Sequence, residues 1–160
     1  MSINPSFYTA AQLATAKAIY DAFNGWKTSH GTFSPHHAAA IVEQADAESS
    51  FSATALGDRG TAFGLLQWHS ARASQIYTGT GINVTAFPPV AKQIQAAQWE
   101  LVHTSYANTA LTRILAAADA YDAGVAACVY FEQAGAPGQP AKRGAGATAW
   151  ASYFMQQHGD

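Results

Sequence analysis

Charge is scarce in this chain. Asp, Glu, Lys and Arg make up 11% of its 160 residues and leave a formal net charge of −2. A nucleic-acid-binding surface needs a basic stripe or patch, and none can be assembled from so few cations, so DNA and RNA are not expected partners. The weak acidity also removes any broad attraction to an anionic surface, leaving recognition to a shaped cleft. Cysteine occurs once, at Cys128. This excludes an intrachain disulfide framework, and a small buried hydrophobe is the simplest expectation. No stretch reaches the roughly 18 consecutive apolar residues of a membrane span. The start, Met1-Ser2-Ile3-Asn4-Pro5, has neither a basic region nor a long apolar run behind it, so no secretory signal is expected. Six histidines are present without a His-Glu-x-x-His motif or a Cys pair. His30, His36, His37 and His69 are therefore not expected to hold a metal with Glu48 or Asp58, and no cofactor is implied.

What is present is helix-forming sequence. Apolar residues account for 49% of the chain and many are alanine, which favours helices packed closely together. The 3.6-residue period predicts a helix over 9–23 with Leu13, Ala16 and Tyr20 on one face, ended by Asn24-Gly25 and followed by a loop to Thr32. A second helix runs from Pro35 to Glu48 with Ser34 as its N-cap. Further helices are expected over 70–77, from Pro89 through Leu101, over 108–118, over 122–133 and over 141–156. Their inward stripes are Val90, Ile94, Ala97 and Leu101; Leu111, Ile114, Leu115 and Ala118; Val125, Cys128, Val129 and Glu132; and Arg143, Ala147, Trp150 and Phe154. Gly57-Asp58-Arg59-Gly60 is turn-like, so a β-hairpin over 57–63 is the one candidate sheet. The expected fold class is all-α, or α+β with that single hairpin, in one domain over 1–160 with no repeat and no linker.

The stretch from Ala47 to Trp68 carries the chemistry. Ile41, Ala45 and Glu48 fall at i, i+4 and i+7, so Glu48 ends an apolar helix face, while Glu43 and Asp46 point elsewhere. Burial and the negative end of the helix dipole both disfavour a second negative charge there, as a proton donor requires. The alternative is a glutamate that bends out to solvent or pairs with an arginine. Beyond it come glycines at 57, 60 and 64 and the pair Gln67-Trp68. An amide and an indole suit N-acetyl and hydroxyl groups, and Gly64 allows backbone amides to approach a ligand closely. Asp58 is the candidate for a second carboxylate, since glycosidic cleavage commonly uses two. Its alternative role is to stabilise its own turn.

Glu48-Ser49-Ser50-Phe51, Ala55-Leu56-Gly57-Asp58 and Gly60-Thr61-Ala62-Phe63-Gly64-Leu65-Leu66-Gln67-Trp68 resemble the phage tail lysozyme family. They are more distantly similar to goose-type lysozymes and soluble lytic transglycosylases. Gln98-Trp99-Glu100-Leu101, Tyr130-Phe131-Glu132 and Arg143 extend the resemblance over about 16–154. One departure is Gln133-Ala134 in place of the family's Arg-Pro after the second glutamate. The resemblance implies a lysozyme-like domain that cleaves the β-1,4 bond between N-acetylmuramic acid and N-acetylglucosamine in peptidoglycan, with Glu48 as general acid. A lytic transglycosylase, or a non-catalytic glycan-binding or structural tail domain, is the alternative. It implies substrate contacts at Thr61, Phe63, Gly64, Gln67, Trp68 and Arg72; a place in the core is the equal alternative for Phe63 and Trp68 and the expected one for Phe51. Glycan strands are the implied ligand, phage tail or injection-system proteins the implied partners, and the cell wall or periplasm the place of action. Delivery is by a virion or a route without a signal peptide. Glu100, Glu132 and Arg143 are read as structural, with Arg143 in a buried pair with Glu132 or Glu100.

Overall fold

The computed structural model describes residues 2–159. Its helices are α1 (Ala10–Phe23), α2 (Pro35–Ser49), α3 (Ser70–Thr80), α4 (Val90–His103), α5 (Ser105–Ala116), α6 (Ala120–Ala126) and α7 (Gln139–His158). Short 3-10 turns cover Pro5–Phe7 and Val84–Ala86, and a π-helix runs from Ala127 to Glu132 directly after α6. Two antiparallel hairpins, β1 (Lys27–Thr28) with β2 (Gly31–Thr32) and β3 (Leu56–Gly57) with β4 (Ala62–Phe63), complete a mainly helical fold.

Capping sets the two helices that carry the interior. Thr9 accepts from the Gln12 amide N–H while the Gln12 side chain accepts from Thr9 N, which closes both ends of a capping box on α1. On α2 the Ser34 hydroxyl accepts from His37 N, and His37 takes the place of the usual Glu or Gln by accepting from Ser34 N through Nδ1. Its Nε2 then lies 3.1 Å from Ala117 O, an arrangement for the neutral ring with Nε2 as donor. Burial, and then neighbouring His36, lower the His37 pKa and keep it so; the bond to Ala117 opposes them.

Helix α2 is central and packs on α1, α6 and α7. Ala38, Ala39, Ala40 and Ala45 are buried along it, and these short side chains let its neighbours come close. Helices α6 and α7 approach closer still, because a Cβ at Gly124 would meet the Arg143 carbonyl oxygen. The Arg143 side chain is thereby brought back over α2.

The observed elements depart from expectation in three places. The loop before Thr32 contains the β1–β2 hairpin, whose two-residue strands have no periodicity to read. The helix placed over 108–118 runs from Ser105 to Ala116, and Ala118 is exposed rather than inward. The helix placed over 122–133 is α6 plus the π-helix. A π turn takes in about one residue more than an α turn, so the i, i+4 stripe fails there. Val129 is 41% exposed while Phe131 is buried.

Candidate active site

Glu48 lies in the last turn of α2, and the chain reverses directly beyond it. Ser50 and Phe51 both take left-handed conformations, with φ of 50° and 63°. Ser50 N donates to Asp46 O at 2.7 Å and Phe51 N to Ala45 O at 3.3 Å, which satisfies carbonyls the helix would leave free. The Phe51 ring is buried against Trp150 and serves the core. The Glu48 side chain is 21% exposed, and Arg143 Nη2 donates to its Oε1 at 2.8 Å. Of the alternatives open for Glu48, the arginine pair is the one observed. Arg143 Nη1 also donates to Gln44 Oε1 at 2.7 Å.

The expected pairing of Arg143 with Glu132 or Glu100 is therefore corrected. Those two carboxylates share Arg72. Arg72 Nε and Nη2 donate to Glu100 Oε2 and Oε1 at 2.8 and 2.7 Å, and Nη1 donates to Glu132 Oε2 at 3.1 Å. The guanidinium also lies 5.0 Å from the centroid of the Phe131 ring. Burial works against its charge, but Glu132 and Glu100 outweigh this and hold Arg72 protonated more firmly than usual. Glu100 is fully buried and accepts two further bonds, from Trp68 Nε1 at 3.1 Å and from the Tyr106 hydroxyl. Burial, followed by the Glu100 charge, raises the Tyr106 pKa and keeps it a donor.

The motif loop is stapled by its own amides. Asp58 and Arg59 occupy the β3–β4 turn with φ of 47° and 57°, and the Thr61 hydroxyl donates to Asp58 O at 2.8 Å. Gln67 Nε2 donates to Gly64 O at 2.9 Å and Ala55 O at 3.3 Å, across the position where a Gly57 side chain would collide. Gly64 does not open towards a ligand, since a Cβ there would meet Gln93 Oε1. That oxygen accepts from Leu65 N at 2.9 Å, and Gln93 Nε2 donates to Ala53 O and Pro88 O at 2.8 Å. Trp68 is fully buried, so it offers no face to a sugar. Of the implied contacts, Thr61 is exposed, Phe63 and Gln67 are half-buried, and Arg72 reaches the surface only at the edge of its ion-pair network. Phe63 packs beside Phe87, their ring centroids 5.9 Å apart.

A cleft of about 520 Å³ opens beside this network, lined by His69, Ala71, Arg72, Gln75, Tyr106, Phe131, Glu132 and Gln133. Asp58 reaches its rim through His69, Oδ2 lying 3.0 Å from Nε2, and both side chains are exposed. Glu48 is not in the cleft wall. Its negative charge is nevertheless one of the forces acting on Glu132, whose pKa is pushed up to about 7 by burial, against the pull of Arg72.

The sequence model of phage tail lysozymes matches residues 14–154 of this chain. The chain belongs to the phage tail lysozyme family. Among curated proteins no match to it is found. Membership supports a lysozyme-like action on peptidoglycan and fits a virion or cell-wall setting. Among the described residues no helix of this family member is long and apolar enough to cross a membrane, and no three His, Cys, Asp or Glu side chains gather as metal ligands.

Several polar residues of this phage tail lysozyme fold escaped the sequence reading. Gln44 and Gln93 each stand three residues after an apolar stripe position, Ile41 and Val90, and that spacing is the signal that marks them as inward. Glu43 and Asp46 were expected to point away, yet both are partly buried. Asp46 Oδ2 accepts from the Tyr8 hydroxyl at 2.6 Å and from Trp150 Nε1 at 3.2 Å. Burial pushes the Glu43 pKa up to about 8, helped by Asp46 and opposed by Arg143.

Proposed function

We propose that this protein cleaves the β-1,4 bond between N-acetylmuramic acid and N-acetylglucosamine, with Glu48 as the proton donor to the glycosidic oxygen. The observation that supports it most is the placement of Glu48. Its carboxyl is fixed by Arg143 at 2.8 Å, keeps partial access at 21% exposure, and is electrostatically coupled to the cleft wall through Glu132. Proton donation lets the leaving sugar depart as an alcohol, and water on the muramyl carbon completes hydrolysis. The site of action is the cell wall, reached from a phage tail or a related injection machine.

Asp58 favours a second route. Its side chain is 69% exposed and paired with His69 on a surface turn. That placement gives little support to an attacking carboxylate, and it favours attack by the muramic 6-hydroxyl itself, which yields an anhydro sugar. Mass spectrometry of the released muropeptides separates the two products. Glu48→Gln is expected to reduce release at least 100-fold with the fold intact, in the range of losing a general acid, whereas Asp58→Asn loses a few-fold at most. Substantial turnover by Glu48→Gln would remove the assignment.

A further inference from the structure

Gln44 is fully buried, and an amide is tolerated there only where its donors and its acceptor are met. It stands one turn before Glu48 on the same face of α2, at i and i+4, and both side chains meet one guanidinium from α7. Arg143 Nη1 donates to Gln44 Oε1 at 2.7 Å, and Nη2 donates to Glu48 Oε1 at 2.8 Å. The arginine fork therefore spans two successive turns of a single helix.

The orientation of that amide is fixed from behind. Gln44 Nε2 donates to Ala40 O at 3.3 Å within α2 and to Gly124 O at 3.4 Å on α6. Turned over, the amide would set its oxygen against two carbonyls and its NH2 against a guanidinium, and each of these contacts is repulsive. One orientation is left, with the carbonyl oxygen aimed at Arg143. The Arg143 backbone is held as closely, since a Cβ at Gly124 would lie 2.5 Å from its carbonyl oxygen. Gly124 thus bears on both members of the pair.

Charge gives a reason for an amide at this position. Arg72 divides its charge between two carboxylates, whereas the bonds of Arg143 go to Glu48 and to two neutral amides, Gln44 and, from Nε at 3.4 Å, Gln139. An amide carbonyl holds a guanidinium without taking a share of its charge. Glu43, another carboxyl that Arg143 acts on, is pushed up to about 8 by burial and is largely neutral at pH 7. The cation therefore remains for Glu48. As Glu48 releases its proton to the glycosidic oxygen, the carboxylate left behind forms against a charge already in place.

We infer that Gln44 is a positioning residue for the cleavage step: its carbonyl oxygen locks the Arg143 fork, so that one arm holds Glu48 Oε1 and leaves Oε2 to the substrate. This rests on the reading of Glu48 as proton donor. Among the described residues Oε2 accepts no hydrogen bond, and the side chain is 21% exposed, which leaves a ligand room to reach it. Gln44 touches no substrate itself. Its effect on turnover passes through Arg143 alone.

Kinetics of the full chain on soluble peptidoglycan fragments test this. Gln44→Met keeps length and volume without the amide, and Arg143→Lys keeps the charge without the fork. Each should lower kcat roughly 10- to 100-fold, the cost of a misplaced group, with KM changed less than about twofold. The double variant should be no slower than the slower single, because each removes the same arrangement. Losses that multiply in the double variant, or that fall on KM, overturn the inference in favour of separate structural roles. Nitrogen-15 NMR of the unsubstituted chain decides even if Gln44→Met fails to fold. A guanidinium locked by Gln44 and Glu48 rotates slowly about Nε–Cζ, so Arg143 should show two separate Nη signals, assigned by their loss in Arg143→Lys; one averaged signal overturns the inference. Turnover retained by Glu48→Gln refutes the donor reading and the inference with it, whereas an inactive Glu48→Gln beside a fully active Gln44→Met refutes the inference alone.

Discussion

Replacing Arg72 with methionine keeps most of the side-chain volume and removes the one cation shared by Glu100 and Glu132. Three hydrogen bonds of 2.7 to 3.1 Å are lost, along with the packing of the guanidinium over Phe131. Both orphaned carboxylates are at most 2% exposed, so neither can turn to water. Breaking a buried pair from one side costs about 3 to 5 kcal/mol. Two carboxylates depending on one cation push towards the upper end, while the Trp68 and Tyr106 donors left on Glu100 and proton uptake by Glu132 pull back. We expect a loss of about 4 kcal/mol at pH 7, or a fall in Tm of roughly 8 to 16 °C for a chain of this size. Urea unfolding followed by far-UV circular dichroism of the helices measures it. The deficit should shrink as the pH falls, because protonation relieves the stranded charges. A loss below about 1 kcal/mol at pH 7, in the range of an exposed pair, combined with a raised KM, would show that Arg72 is a substrate contact instead of the keystone of the network.

Glu43→Gln should stabilise the protein on the alkaline side. A carboxyl raised from the ordinary 4.5 to about 8 contributes fully below 4.5 and loses its contribution as the pH climbs to 8, so the unsubstituted chain weakens across that window and the amide does not. With a discount for partial exposure, the gain at pH 8 should be about 2 kcal/mol, read from denaturant midpoints at pH 5 and pH 8; parallel curves would refute it. Gly79→Ala gains about 0.5 to 1 kcal/mol of helix propensity. Its Cβ must enter the space of the Trp99 indole, an overpacking cost of about 1 to 3 kcal/mol. Net destabilisation is expected in thermal unfolding, and a more stable variant would mean that Trp99 yields freely.

The helices were legible because their signals are local. The Leu13, Ala16, Tyr20 period announces α1, the Ser34 cap announces α2, and the Gly57-Asp58-Arg59-Gly60 turn announces the β3–β4 hairpin. The partners within the candidate site were not legible, because they meet only after folding. Glu48 and Arg143 are 95 residues apart, and Arg72 and Glu132 are 60 apart. Stripe reasoning brought Glu48 and Glu132 to inward faces and left Glu100, which is fully buried, on a flank; it carries no information on which arginine each would meet. Trp68 looked available because an indole beside an amide suits a sugar; the isolated bridge between Phe63 and Trp68 folds it inward instead. The π turn has no residue signature, and it misled the reading of Val129 for that reason.

That extra residue between Ala127 and Glu132 has a genetic corollary. Deleting a single codon there would let an ordinary α turn form and leave whatever follows at its place around the axis, because the wide turn absorbs the residue that would otherwise swing it by about 100°. Glu132, at the far end of that turn, would keep its side towards Arg72 and the cleft. This turn could thus gain or lose one residue in a single mutational event without displacing the acidic network beside it.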